Sequence, residues 1–311
     1  MHLQHIALAV FVAVIWGFNF VMIKAGLDEL PPVLLCALRF FFAAFPAVFF
    51  VQRPAIAFRH VLIFGFTMFA LQFTLLFFGM AAGATAGLAS LLLQVQAFFT
   101  VLLAVVFLDE KPSGWQITGA IVAFCGIGLV AANLGGDISA LGMVLIVAAA
   151  ASWGAGNLIS KRLGKIDMLA LVIWGSFVAW PPLLLVSFIF EQDAWNLASM
   201  SELTWRSFAS IGYNAYPVTL LGFAAWNWLM SHYPAATVAP FSLLVPVFGF
   251  ASSAFVMGEP IYAWKIAAAV LIITGLCINL LGFASPESAA SSRSVSTVIF
   301  LPVFFWRIQT S

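Results

Sequence analysis

The chain has 311 residues, of which 64% are hydrophobic and 7% charged, with a net charge of +1 and a mean hydropathy of +1.12. So few charges cannot cover a water-soluble domain, and the near-neutral balance offers no basic field for nucleic acid. The composition leaves a chain whose apolar runs are long enough to cross a bilayer core, about 20 helical residues each.

The first run, about 6–25, has no basic leading region, and it continues into Lys24, Asp28 and Glu29 without a small-residue cleavage site. It therefore reads as a retained span rather than a secretory leader. Trp16 and Asn19 lie on it. Further spans are expected at about 31–51, with Arg39; 60–80, with Gln72; 84–108, with Gln94 and Gln96; and 113–132. The series continues at about 139–160, with Trp153 and Asn157; 168–189; 208–229; 235–257, with Pro240, Ser242 and Pro246; and 262–283. Lipid offers no partner for an unpaired backbone group, so the spans must be helices, and the unbroken apolar runs speak against a barrel of alternating strands. The expected fold is an all-α polytopic membrane protein of about ten transmembrane helices. Beyond residue 284 a Ser-rich cytoplasmic tail, 285–311, contains the apolar stretch Val298–Trp306, too short to span and interrupted by Pro302. No function is assigned to it. Cys36, Cys125 and Cys277 fall inside apolar runs, too far apart for a redox pair or a metal site. No cofactor and no metal is expected.

With the N-terminus inside, the cytoplasmic helix ends hold Arg53, Arg59, Lys111, Lys161, Arg162, Lys165, Arg293 and Arg307, against Lys24, Arg206 and Lys265 outside. This asymmetry places both termini on the cytoplasmic side of the membrane. The longest outer connection, 190–207, carries Trp195 and Trp205 beside Glu191, Asp193 and Glu202, a composition suited to the headgroup level.

The chain repeats itself. WGFNFVMIK, from Trp16 to Lys24, is matched by WGAGNLISK, from Trp153 to Lys161; Glu110, Trp115 and Gly126 are matched in order by Glu259, Trp264 and Gly275. The expected halves are 1–135 and 136–284. Each holds an odd number of spans, so the copies lie in opposite orientations, the plan of many secondary transporters that work by alternating access.

WGFNFVMIK, the LRF at Leu38–Phe40, AGLASLLLQVQAFFT from Ala86 to Thr100, Asp109-Glu110, and APFSLLVPVFGFASSA from Ala239 to Ala254 together resemble the EamA branch of the drug/metabolite transporter superfamily. Within that branch the chain is most similar to the bacterial cysteine/O-acetylserine exporters. The resemblance covers about residues 5–283 and implies ten helices in two inverted five-helix repeats. It further implies a central cavity and the export of small amino-acid metabolites. Relatives with similar helices handle aromatic amino acids and xenobiotics, so that substrate class stays open.

Polar groups inside a span are costly unless paired or wetted, so each is a candidate for the pathway. Trp16 and Asn19 share a helix face, as do Trp153 and Asn157, and such amide–indole pairs would suit a small zwitterion. At ~100° per residue Gln94 and Gln96 point to nearly opposite sides, so only one is expected at a cavity; Ser90, Gln94 and Ala97 make the more favourable face. Gln72 is a weaker candidate of the same kind. Arg39 lies near mid-depth, suited either to a substrate carboxylate or to organising helix carbonyls. Pro240 and Pro246 flank Ser242, where a bend with exposed carbonyls is expected, and they are the hinge candidates; Leu91 and Ala97 stand at the matching places of the other half, so the two halves should not bend alike. Every acidic residue falls in a loop or at a helix end. This favours facilitated or exchange transport over a midplane ion relay.

A membrane-embedded enzyme would need a nucleophile with its base, or metal ligands, in workable geometry. His2, His5, His60 and His232 all lie at membrane edges. A passive channel would want a charged ring or filter repeat, which the sequence lacks. The expected partners are a small-molecule substrate and the lipid bilayer, with no nucleic acid and no soluble protein.

Overall fold

The computed structural model describes residues 1–164, 166–196, 203–233 and 235–284, and among them the only regular structure is helical. In chain order the helices are α1 (Leu3–Leu27), α2 (Pro32–Ala44), α3 (Phe58–Ala81), α4 (Ala86–Leu108), α5 (Gly114–Ala131), α6 (Ala140–Leu163), α7 (Met168–Phe190), α8 (205–232), α9 (235–257) and α10 (Ala263–Ala284). The tail beyond 284, with Arg293, Arg307 and Val298–Trp306, lies outside the described residues, as do Lys165 and Glu202. Among the described residues nine helices are long and apolar enough to cross a membrane. The exception is α8, whose run of apolar residues is broken by Ser207, Ser210, Asn214, Thr219 and Asn227. Large side chains such as Phe11, Phe107, Ile121, Phe190 and Phe255 stand exposed around the bundle, as a hydrocarbon surround requires.

Local chemistry sets most boundaries. Pro32 opens α2 at a position where its missing N–H costs nothing. Ser113 and Gln116 form a capping box on α5, and the Ser139 and Asp167 side chains accept from the first turns of α6 and α7. The second span is shorter than expected: α2 stops at Ala44, because Phe45 precedes Pro46 and is extended (φ −104°, ψ 132°). A short 3-10 turn, Ala47–Phe49, follows.

Four helices lose regular α geometry at mid-length, and they do so in corresponding pairs. α3 is π-helical over Gly65–Leu71 and α8 over Asn214–Gly222; α4 tightens to a 3-10 turn at Leu93–Val95 and α9 at Ala239–Leu243. Pro217 and Pro240 account for α8 and α9. α4 and α3 break without a proline, so a 3-10 turn occurs in both α4 and α9, against the expectation that the two halves would not bend alike.

Packing is paired in the same way. α1 lies against α8 and α9 as α6 lies against α3 and α4, while α2 pairs with α7 and α5 with α10. The repeated tryptophan-glycine step has its reason here. A Cβ on Gly17 would meet the α9 backbone at Val245 O, 2.8 Å away, and one on Gly154 would meet the α4 backbone at Thr100 N, 2.9 Å away. A reciprocal close approach of two backbones joins α5 to α10, where a Cβ on Gly119 would stand 2.5 Å from Gly275 O, and one on Gly275 2.5 Å from Gly119 O.

The helix ends define two faces. One, the basic face, carries Arg53, Arg59, Lys111, Lys161 and Arg162. The opposite face is tied by carboxylates at helix N-termini, where the helix dipole favours an anion. Glu191 accepts from the Val33 and Leu34 amides, both at 2.9 Å, and Glu259 from the Ala86 and Gly87 amides at 2.9 and 3.3 Å. Glu29 accepts from the Thr204 amide at 3.0 Å and the Ser207 hydroxyl at 2.5 Å. The Ser207 hydroxyl first, then the Thr204 hydroxyl and amide, hold the Glu29 carboxyl down at about 2, from an ordinary 4.5. A folded value below the unfolded one stabilises fully above pH about 4.5 and is lost as pH falls through about 2.

Gly275→Leu should separate α5 from α10 and cost about 3 kcal/mol, read as a lower unfolding midpoint in detergent. Gly128→Leu, at a position with nothing within 4 Å, should leave the midpoint unchanged or raise it. Glu29→Gln should unfold below wild type at neutral pH, with the gap narrowing as the pH drops under about 4.5; a gap independent of pH contradicts the assigned contact.

Candidate functional site

The mid-length breaks surround a cavity of about 450 Å³. Seven of the eight residues expected at a binding site line it: Trp16 and Asn19 from α1, Arg39 from α2, Gln94 from α4, Trp153 and Asn157 from α6, and Ser242 from α9. Gln72 does not. It is fully buried on α3, and neither its amide oxygen nor its amide nitrogen has a hydrogen-bond partner. Of the hinge candidates, Pro240 opens the 3-10 turn of α9 and Pro246 lies buried in the α-helical part that follows.

The expectation that only one of Gln94 and Gln96 reaches a cavity is overturned, since both line it. The 3-10 turn between them changes the angular step from that of a regular α-helix and brings the two amides toward one side. They do different work. Gln94 Nε2 donates to the Ser242 carbonyl at 3.0 Å, taking up a carbonyl that the bent α9 exposes and joining the broken turns of α4 and α9. Gln96 Oε1 accepts from Asn157 Nδ2 at 2.8 Å, and Thr100 Oγ1 lies 3.1 Å from the same nitrogen, so Asn157 is held to α4.

Arg39 is fully buried. Its NH1 donates to Asn214 Oδ1 at 2.8 Å, and its Nε and NH2 donate to Thr219 Oγ1 at 3.3 and 3.2 Å. The fork thus grips the start and the interior of the π-helical stretch of α8, whose Asn214 and Thr219 side chains also bond back to α8 carbonyls. Phe73 covers the guanidinium, its ring centroid 3.9 Å from Cζ. Among the described residues no carboxylate pairs with it. A buried cation without a counter-ion leaves a positive field at that end of the cavity.

Residues that the sequence did not single out complete the wall. Trp226 and Phe223 of α8 meet Trp16 at ring-centroid distances of 5.3 and 5.6 Å, and Asn227 follows them. The Trp16 indole donates to the Val218 carbonyl at 3.2 Å. The signal for Asn227 is its place in the sequence, a polar residue inside the expected span 208–229.

Access is one-sided. Ser160, Met168 and Met230, at the basic-face ends of α6, α7 and α8, line the cavity, while Arg39, Phe73 and Leu76 close its blind end. Toward the opposite face the first half of α4 packs on the second half of α9. There a Cβ on Gly87 would meet Phe250 at 2.8 Å. At the basic face the other halves of α4 and α9 form no comparable interface among the described residues, and Glu110 pairs with exposed Lys161 at 2.6 Å.

A membrane-embedded helical bundle with a polar and aromatic cavity open to one face defines a solute transporter rather than an enzyme. The chain belongs to the EamA-like transporter family, whose pattern matches it twice, over residues 3–132 and 140–281. It is 40% identical to a probable amino-acid metabolite efflux pump of Salmonella typhimurium, over 92% of this chain and 97% of that protein. A protein of the same description from Escherichia coli is also 40% identical, over 88% of this chain and 94% of its own length. An uncharacterized transporter of Bacillus subtilis, YoaV, is 27% identical over 88% of this chain and 95% of its own. A solved crystal structure at 17% identity covers 89% of this chain and 98% of its own with a TM-score of 0.62, which marks a shared fold.

Arg39→Lys keeps the charge but not the fork, so Asn214 and Thr219 should lose their partner at a cost of about 1–3 kcal/mol. Unfolding in detergent measures this; stability equal to wild type would show that the fork does not hold α8.

Proposed function

We propose that this chain exports small polar amino-acid metabolites, cysteine and O-acetylserine among them, from the bacterial cytoplasm across the inner membrane by alternating access. The observation that carries the reading is the 40% identity, over nearly all of both chains, to relatives described as probable amino-acid metabolite efflux pumps. The cavity agrees with it: amides, one buried cation and indoles suit a small zwitterion. Trp16, Asn19, Arg39, Gln94, Trp153, Asn157 and Ser242 face the substrate's path, and Pro240 and Pro246 let α9 bend. The aromatic wall of Trp16, Trp153, Phe223 and Trp226 favours a second reading, efflux of aromatic amino acids or xenobiotics.

In this proposal the protein has ten spans in two inverted halves, 1–135 and 136–284, followed by a cytoplasmic tail, 285–311. Two family matches, the paired mid-helix breaks and the paired helix contacts support the repeat. α8 serves as a span despite its low hydropathy because its polar groups turn inward, Ser210 and Tyr213 onto α1 carbonyls and Asn214 and Thr219 onto Arg39. The basic face is cytoplasmic, with both termini, by the excess of Lys and Arg. The cavity then faces inward. Glu259 holds the start of α4 on the closed side, and Glu110, its counterpart, is placed to hold the start of α9 when the basic face closes. Among the described residues no carboxylate lines the cavity, which fits facilitation or exchange rather than a midplane ion relay.

Purified protein in liposomes preloaded with unlabelled amino acids should give saturable counterflow of labelled cysteine and O-acetylserine, unaltered by an imposed pH gradient. Exchange confined to phenylalanine or hydrophobic drugs would replace this reading with the second, and exchange of neither would overturn both.

A further inference from the structure

Most polar side chains around the cavity are already bonded to protein. Gln94 is bonded to the Ser242 carbonyl, Asn157 to Gln96 and Thr100, Ser160 to the Gly156 carbonyl, and Arg39 to Asn214 and Thr219. Two amides differ. Asn19 is only 5% exposed and its Oδ1 is buried without a partner; Asn227 Nδ2 is likewise buried without a partner. Both residues line the cavity. A buried amide left unbonded costs the desolvation of its polar atoms, and such a cost persists where a ligand repays it.

We infer that Asn19 and Asn227 bracket the transported amino acid, Asn19 taking its carboxylate and Asn227 its ammonium. This rests on the export reading and adds the orientation of the substrate and a residue, Asn227, that reads its amine. α1 and α8 run antiparallel, with Trp16 set against Phe223 and Trp226. Asn19 therefore lies one turn beyond this aromatic patch toward the blind end, and Asn227 just beyond it toward the mouth. As placed, the unpartnered atoms are an acceptor, Asn19 Oδ1, and a donor, Asn227 Nδ2; a half-turn of either amide exchanges its oxygen and nitrogen, so the field rather than the resting amide decides which end of a zwitterion goes where. That field comes from Arg39, whose partners Asn214 and Thr219 lie on the blind-end side of α8 and which has no carboxylate partner among the described residues. It draws the carboxylate inward to Asn19 and leaves the ammonium at Asn227, with the substrate side chain against the indoles. Asn157, the repeat counterpart of Asn19, is spent on the α4–α6 contact, so the site is asymmetric within a repeated framework.

The test is inhibition of labelled-cysteine counterflow by three competitors: free cysteine, its methyl ester, which masks the carboxylate, and N-acetylcysteine, which masks the ammonium. Asn19→Asp should weaken free cysteine about tenfold or more and leave the ester nearly unchanged, because the new charge repels only the carboxylate. Asn227→Asp should tighten free cysteine and the ester relative to N-acetylcysteine, a gain that misfolding cannot imitate. Asn227→Leu should erase the preference for free cysteine over N-acetylcysteine. The opposite assignment of the two variants, or equal effects on all three competitors, overturns the inference alone. A wild type that exchanges no amino acid overturns the export reading and this inference together.

Discussion

Inside a hydrocarbon layer every backbone and side-chain polar group must find its partner within the protein, and the cavity is the place where this constraint is met differently. Regular α-helices would satisfy their own backbones and leave nothing for a solute. Here α3, α4, α8 and α9 each depart from α geometry at mid-length. Carbonyls at the breaks are taken up by side chains from neighbouring helices, Gln94 on Ser242 and Trp16 on Val218, while Arg39 holds the Asn214 and Thr219 side chains within the π-helical stretch of α8. The same contacts that satisfy the broken helices therefore build the walls of the site.

The two halves share a framework but not their chemistry. Trp16-Gly17 and Trp153-Gly154 perform one task twice, each glycine admitting a neighbouring helix backbone. The asparagines that follow them have diverged, Asn157 bonded to α4 and Asn19 unbonded in the cavity. The helix-end carboxylates diverge too. Glu259 grips the start of α4, whereas Glu110 rests on an exposed lysine, and an exposed ion pair of that kind is worth little. The sealed face and the open face follow from this difference, as two packings available to one repeated design.

Much of this was legible in the sequence because its physics is one-dimensional. Apolar length marks the spans, intramembrane polarity marks candidates, and the recurrence of WGFNFVMIK as WGAGNLISK marks the repeat. Seven of eight expected residues meet at one cavity for that reason. What was not legible depends on helix geometry or on partners distant in sequence. Treating α4 as a regular helix separated Gln94 from Gln96, and nothing local announces its 3-10 turn. The partners of Arg39 lie far along the chain on α8, and Gln72, similar in sequence character to Gln94, is packed away from the lining. Asn227, near the end of an expected span, shows its place at the cavity only once α8 is packed against α1.

One-sided access to the site is the property from which inward-facing export follows. In a chain with Cys36, Cys125 and Cys277 replaced by alanine, a single Ser160→Cys near the mouth can be exposed to a membrane-impermeant thiol reagent from each side of sealed vesicles in turn. Labelling from the side of Arg53, Lys111 and Lys161, with none from the side of Glu29, Glu191 and Glu259, is the predicted result. Equal labelling from both sides, or labelling from the carboxylate-tied side alone, would contradict it.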